Sequence, residues 1–172
     1  MEKFLNGDFY NPTCGNLTLQ QVVEEILSYI HQIPDKKYDV VVGCDSSSSD
    51  DPCFPLAIVV LRKGAGGRFF IKKIRYNTQE RKKFENWKMR ILEEVMLSCQ
   101  LALQLREELE KRIVNLNNGS NYEFRYIHAD VGENGATRDM IKEVTGLIRG
   151  NGFEPKIKPE SYVASSVADR YS

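Results

Sequence analysis

Long apolar runs are missing from this chain. Nothing in it approaches the ~18–20 consecutive apolar residues that cross a bilayer. The opening stretch, Met1 to Asp8, lacks the apolar core of a signal peptide. Cysteine and histidine are scarce. Cys14, Cys44, Cys53 and Cys99 form no Cys-x-x-Cys pair, and only His31 and His128 stand ready to complete a zinc set. That spacing excludes a structural zinc module and predicts free thiols in a reducing compartment. Net charge is absent too, with 24 basic and 24 acidic residues. No internal repeat, low-complexity linker or domain boundary interrupts the sequence. Together these absences predict a cytoplasmic protein with no membrane partner. A length of 172 residues suits one domain, 1–172, with an irregular segment over 1–17.

The charge that is present is unevenly placed. Residues 61–90 hold eleven Lys or Arg against only Glu80 and Glu85, a local surplus of nine. Such a stretch in a neutral chain is either a docking surface for a polyanion such as nucleic acid or a solvated face with no ligand. Charge alone favours neither. Tyr76, Phe84 and Trp87 interleave with the basic residues, and Trp87 belongs to an apolar stripe, which assigns it to the core.

Periodicity organises the rest. Leu19, Val22, Val23, Ile26 and Ile30 share one face of a helix over about 18–32, with Thr18 and Gln21 placed as a capping box. Three strands follow, over about 38–45, 55–63 and 68–76. Gly64 to Gly67 marks the second turn, so the three make an antiparallel meander. Residues 80–113 read as one long helix or two collinear ones, ended by Asn117-Asn-Gly-Ser. A fourth strand over 122–130, a helix over 137–149, a fifth strand over 153–158 and a short last helix containing Asp169 complete the order. Antiparallel strands followed by helical crossovers make an α/β mixed sheet with helices on both faces, the fourth strand beside the first.

Two acids stand out in that frame. Asp45 ends the run Tyr38-Asp-Val-Val-Val-Gly-Cys, and Asp130 ends Tyr126-Ile-His-Ala. A carboxylate at the mouth of a core strand is costly to desolvate and calls for a partner or a cation. The bland alternatives are a turn residue for Asp45, ahead of Ser46 to Asp51, and a loop residue for Asp130. A third acid is expected from the long helix. At roughly 100° per residue, Glu94 lies about 20° from Trp87 on the helical wheel and Glu93 about 120° away. Phase therefore turns Glu94 toward the sheet and Glu93 to the flank; the bland reading of Glu94 is an ion pair at the edge of the stripe. Asp169 alone is unremarkable.

Three motifs then combine. Gly43-Cys-Asp45-Ser, His128-Ala-Asp130-Val-Gly-Glu-Asn-Gly-Ala-Thr-Arg138 and the stretch from Gly152 to Asp169 resemble the YkuK-like family, a bacterial branch of the ribonuclease H-like superfamily. The resemblance spans roughly residues 15–172. It implies a ribonuclease H-like five-stranded sheet of order 3-2-1-4-5, strand 2 antiparallel. It also implies acids from the first strand, the long helix, the end of the fourth strand and the last helix. Matched motif by motif these are Asp45, Glu94, Asp130 and Asp169, as both catalytic and metal-holding residues. No motif fixes the helix position, so Glu93 stays open beside Glu94. The chemistry implied is nuclease action on RNA, an RNA–DNA hybrid or structured DNA with two Mg²⁺ or Mn²⁺ ions.

Around these acids Ser46, Thr137, Arg138 and Lys158 are the candidates to hold substrate phosphate, Thr137 and Arg138 from the start of a helix. Each has a plainer role as a turn, cap or solvated residue. His128 shares the face of Asp130 and is read first as a buried structural histidine. The competing function is a non-catalytic nucleic-acid-binding module on the same fold. A nucleotide-binding actin-like fold using Asp45-Ser-Ser as a phosphate loop is weaker, because that fold normally pairs two domains.

Overall fold

The computed structural model describes residues 7–113 and 121–172. Its centre is the β-branched run of β3 (Tyr38–Cys44). Alternate residues of a strand face opposite ways. Val40, Val42 and Cys44 therefore enter one core and Val41 the other. β4 (Phe54–Arg62) pairs antiparallel with β3, from Tyr38 opposite Arg62 to Cys44 opposite Leu56. β5 (Gly67–Ile74) pairs antiparallel with β4. On the other side of β3, β7 (Tyr126–His128) and then β8 (Glu154–Lys156) add in parallel. The central order β5-β4-β3-β7-β8 is the expected 3-2-1-4-5, with β4 reversed.

The sheet differs from expectation at two places. Residues 9–17 are not irregular. β1 (Phe9–Asn11) and β2 (Gly15–Leu17) form an antiparallel hairpin, and β1 extends the sheet beyond β5 through Tyr10 opposite Ile71. The Asn11 side chain closes the turn by accepting from the N–H groups of Thr13 and Cys14, and it donates to the Phe69 carbonyl. Phe9 and Leu17 are buried beneath it. The fourth strand is also broken. β6 (Tyr122–Glu123) pairs with the start of β3, and Phe124-Arg125 interrupts the ladder before β7.

Helix α1 (Leu19–Gln32) carries the Thr18–Gln21 capping box and buries the five expected apolar residues. The region 80–113 resolves into α2 (Thr78–Arg81), a 3₁₀ turn at Lys82–Glu85 and α3 (Trp87–Ile113). Asn86 is extended, and its side chain accepts from the N–H of Lys88, so the long helix starts there afresh. The proposed stop at Asn117 to Ser120 lies outside the described residues. A 3₁₀ turn at Ala136–Met140 leads into α4 (Ile141–Gly150). The last element is a π-helical turn, Val163–Ala168, followed by a 3₁₀ turn, Asp169–Tyr171.

Helices α1, α3 and α4 cover the face of Val40 and Val42. The other face, with Val41, Ala57, Val59 and Ile71, is covered by the C-terminal turn through Val163 and Ala168. Gly43 sets how closely that turn approaches: a Cβ at 43 would stand 2.9 Å from the Ala164 backbone nitrogen. Among the described residues no helix is long and apolar enough to cross a membrane.

Candidate functional site

Pairing register brings the two strand-end acids together. Val42 lies opposite Ile127 and Gly43 opposite His128. Continuing that register past the strand ends sets Asp45 level with Asp130. Both leave the sheet at the same edge, the carboxyl end of parallel neighbours, where ligands of open α/β sheets collect.

α3 packs across β3 and delivers Glu94 to the same edge. Glu94 is 6% exposed. Its Oε1 accepts from the Ser46 N–H at 2.9 Å and from the Ser46 hydroxyl. Glu93, one position earlier, accepts from the Tyr76 hydroxyl instead. The cleft between these groups has a volume of about 180 Å³ and is lined by Asp45, Ser46, Glu94, Asp130, Thr137 and Lys158, with Trp87, Arg90 and Ile91 as its wall. It has room for a cation with part of its water shell.

The electrostatics of the cleft are those of crowded negative charge. Burial pushes the Asp45 carboxyl up to about 8, and the charges of Glu94, Asp130 and Asp169 push the same way, with Lys158 opposing. Burial raises Glu94 to about 7 against the two hydrogen bonds from Ser46 and the nearby Arg90 charge. The Lys158 ammonium lies 3.2 Å from Asp130 Oδ1. Its approach is an ion-pair contact without hydrogen-bond geometry, and that buried oxygen accepts no hydrogen bond.

The remaining candidates divide. Asp169 is exposed and reaches the cleft through its charge on Asp45, not as part of the wall. Thr137 accepts from the Gly132 N–H at 3.1 Å, fixing the loop after Asp130. Arg138 is exposed and outside the cleft lining. Ser47 accepts from the Cys53 N–H and serves the loop. His128 is buried; its Nδ1 accepts from the Val163 N–H at 3.2 Å, and burial with the Lys156 charge lowers its pKa to about 4. It is a neutral brace for the C-terminal turn. Lys156 lies 4.4 Å above the Tyr126 ring.

The basic segment is dispersed rather than gathered. Arg62 is buried against Tyr29, Arg68 pairs with Glu25, and Arg75 and Arg81 pair with Asp51. Arg90 is the member that reaches the cleft, and the motif reading passed it over. The available signal was its spacing: one turn before Glu94 on the same helix face.

An all-oxygen set of carboxylates suits Mg²⁺ or Mn²⁺. The buried Asp130 Oδ1 accepts no hydrogen bond, and the charge facing it is the Lys158 ammonium. Among the described residues, however, no three carboxylate, imidazole or thiol groups already converge closely enough to hold an ion.

Sheet order, the acids at its edge and the helix that carries Glu94 define a class, and comparison with known proteins agrees. A family model described as Ribonuclease H-like matches residues 21–172, and the chain belongs to that family. It is 31% identical over 170 residues to "Uncharacterized protein YkuK" of Bacillus subtilis (strain 168), covering 95% of this chain and 96% of that protein. No solved structure matches.

Proposed function

We propose that this protein is a divalent-metal-dependent phosphodiesterase acting on nucleic acid: RNA, an RNA–DNA hybrid or structured DNA. One observation carries the reading. Asp45, Glu94 and Asp130 come from three separate elements to line one cleft with Lys158, where burial, and then the charges of Glu94, Asp130 and Asp169, push the Asp45 carboxyl up to about 8. Like charges brought together in this way destabilise a fold unless a cation or a reaction uses them.

Asp45, Glu94, Asp130 and Asp169 are the residues that would hold Mg²⁺ or Mn²⁺. When bound, such ions supply Lewis acidity toward a phosphodiester and its attacking water. The protein's own part is positioning. Ser46 locks the Glu94 carboxylate, the Thr137 contact fixes the loop of Asp130, and the Trp87–Ile91 wall keeps solvent from one side. Lys158 and Arg90 add positive charge facing an incoming phosphate.

Cleavage of labelled RNA, hybrid and junction substrates with Mg²⁺ and Mn²⁺ tests the reading. Activity in the wild type that disappears in Asp45→Asn supports it; activity that survives the substitution overturns it. A second reading, a nucleic-acid-binding module without catalysis, draws on the lack of a preassembled three-ligand set among the described residues. It predicts oligonucleotide binding with no turnover under any metal.

A further inference from the structure

We infer that Tyr10, Tyr171 and Lys73 form a second nucleic-acid contact beside the acid cleft, one that takes an unpaired base and its phosphate, so that the substrate carries a single-stranded segment. The inference rests on the proposed action on nucleic acid and specifies the form of that nucleic acid.

Register places the three residues. Cys44 lies opposite Leu56, and Leu56 opposite Lys72. One step further sets Asp45 level with Pro55 and Lys73, two strands away, which is about 10 Å across the ladder. Phe69, Ile71 and Lys73 share one face of β5, the face that packs with Val41, Val163 and Ala168. Tyr10 lies opposite Ile71 and shares that face, one strand further out. Tyr171 ends the 3₁₀ turn that Asp169 begins. Its ring centre lies 6.4 Å from that of Tyr10 and 5.9 Å from that of Phe69. The Lys73 ammonium lies 5.8 Å from the centre of the same Tyr171 ring. A row therefore runs from the acid edge through Lys73 to Tyr171 and Tyr10.

The chemistry of that row fits one occupant. Phe69 and Tyr171 are partly buried and hold the C-terminal turn to the sheet. Tyr10 is not needed for that. It is the outward residue of a three-residue strand, between buried Phe9 and Asn11, and is 44% exposed. An exposed tyrosine beside a second ring offers a π-face on which any base can stack. Duplex bases are already stacked on one another, whereas an unpaired base is free to lie on an aromatic side chain. Lys73 is exposed, while Arg75, two residues on along the same face, is paired with Asp51. Lys73 is therefore the cation placed to meet a phosphate between the stacked base and the cleft. On the other flank of the C-terminal turn, Lys156 and Arg125 lie 4.4 Å and 5.6 Å from the centre of the Tyr126 ring, so cations already cover that aromatic.

Fluorescence anisotropy of the full chain with labelled oligonucleotides tests this. The probes are a single strand of roughly 12 nucleotides, enough to fill a short site, and a blunt duplex of the same length, each as RNA and as DNA. Binding is measured in EDTA, which separates it from turnover, and again with Mg²⁺ on Asp45→Asn. The single strand should bind more tightly than the blunt duplex. Tyr10→Ala should weaken single-strand binding about fivefold or more, the loss of one base stack, and leave duplex binding unchanged. Tyr10→Trp should restore it. Lys73→Gln should lower the slope of log affinity against log salt by about 0.7, the share of one phosphate contact. Circular dichroism confirms that each variant is folded. A duplex preference in the wild type, unchanged single-strand binding by Tyr10→Ala or an unchanged salt slope in Lys73→Gln would overturn the inference while leaving the proposed function standing. An equal loss on strand and duplex that Tyr10→Trp does not rescue would overturn it as well, because it marks a structural residue. No binding of any oligonucleotide in either condition would overturn the action on nucleic acid and this inference with it.

Discussion

Two charges lie at opposite ends of the same strand pair, and the fold treats them in opposite ways. Arg62, opposite Tyr38 at the start of β3, is 9% exposed. Its guanidinium stacks 4.0 Å from the centre of the Tyr29 ring and donates to the Tyr38 hydroxyl and the Tyr29 carbonyl. Asp45, just past the other end, faces acids. One end of the sheet surrounds a buried charge with complementary groups; the other collects like charge. The first arrangement holds a structure together. The second works against stability, and the proposed function accounts for it through a cation.

That contrast can be broken most sharply at Asp45. Replacing it with Asn should lower cleavage by roughly a hundredfold or more, as loss of a key electrostatic group does. Without metal at about pH 9 the same variant should melt at least as high as the wild type, since a repelled charge has been removed. Calorimetry beside a gel assay checks both halves.

The pH response comes next. Asp45 and Glu94 hold protons in the fold that the unfolded chain has released, with pKa raised from 3.8 to about 8 and from 4.5 to about 7. Their contribution is therefore complete below about pH 4 and is lost as pH rises toward 8. Metal-free protein should lose stability in urea between pH 5 and 8, by a slope that Asp45→Asn reduces and saturating Mg²⁺ flattens.

At the other end of the sheet, Arg62→Met should cost about 2–4 kcal/mol in urea unfolding, through the lost stacking and unpartnered tyrosine groups. Mn²⁺ affinity should stay unchanged, which separates the two ends. The smallest effect is expected from Gly43→Ala, which forces the C-terminal turn outward at a cost of about 1–3 kcal/mol. Because that turn leads to Asp169, divalent binding should weaken modestly in the same variant.

The acid edge was legible in the sequence for a specific reason. Asp45 and Asp130 each end an apolar run, and parallel pairing conserves the offset between such runs. Glu94 followed from helical phase, because burial of α3 on the sheet leaves little freedom in its rotation. The N-terminal hairpin was not legible: three-residue strands carry no period, and Asn11-Pro12 and Cys14-Gly15 look like irregular chain until Asn11 is seen closing the turn. Charge alone could not place the basic segment, because neighbours in sequence part company in space. Arg62 and Arg68 turn to α1, while Arg75 and Arg81 turn to Asp51. The Lys158–Asp130 contact needed a loop path over Gly132 that no pattern of residue types announces.

The Ser46–Glu94 contact has a consequence for ion selectivity. Both Ser46 donors fall on one oxygen, Oε1. If the proposed cation binds, Glu94 would offer it the second oxygen, as a one-point ligand. Ca²⁺ prefers about six to eight oxygens and readily takes carboxylates two-pronged, whereas Mg²⁺ accepts single oxygens in a tight octahedron and keeps its waters. A serine hydroxyl engaged with Glu94 would thus tilt the cleft toward the smaller cation.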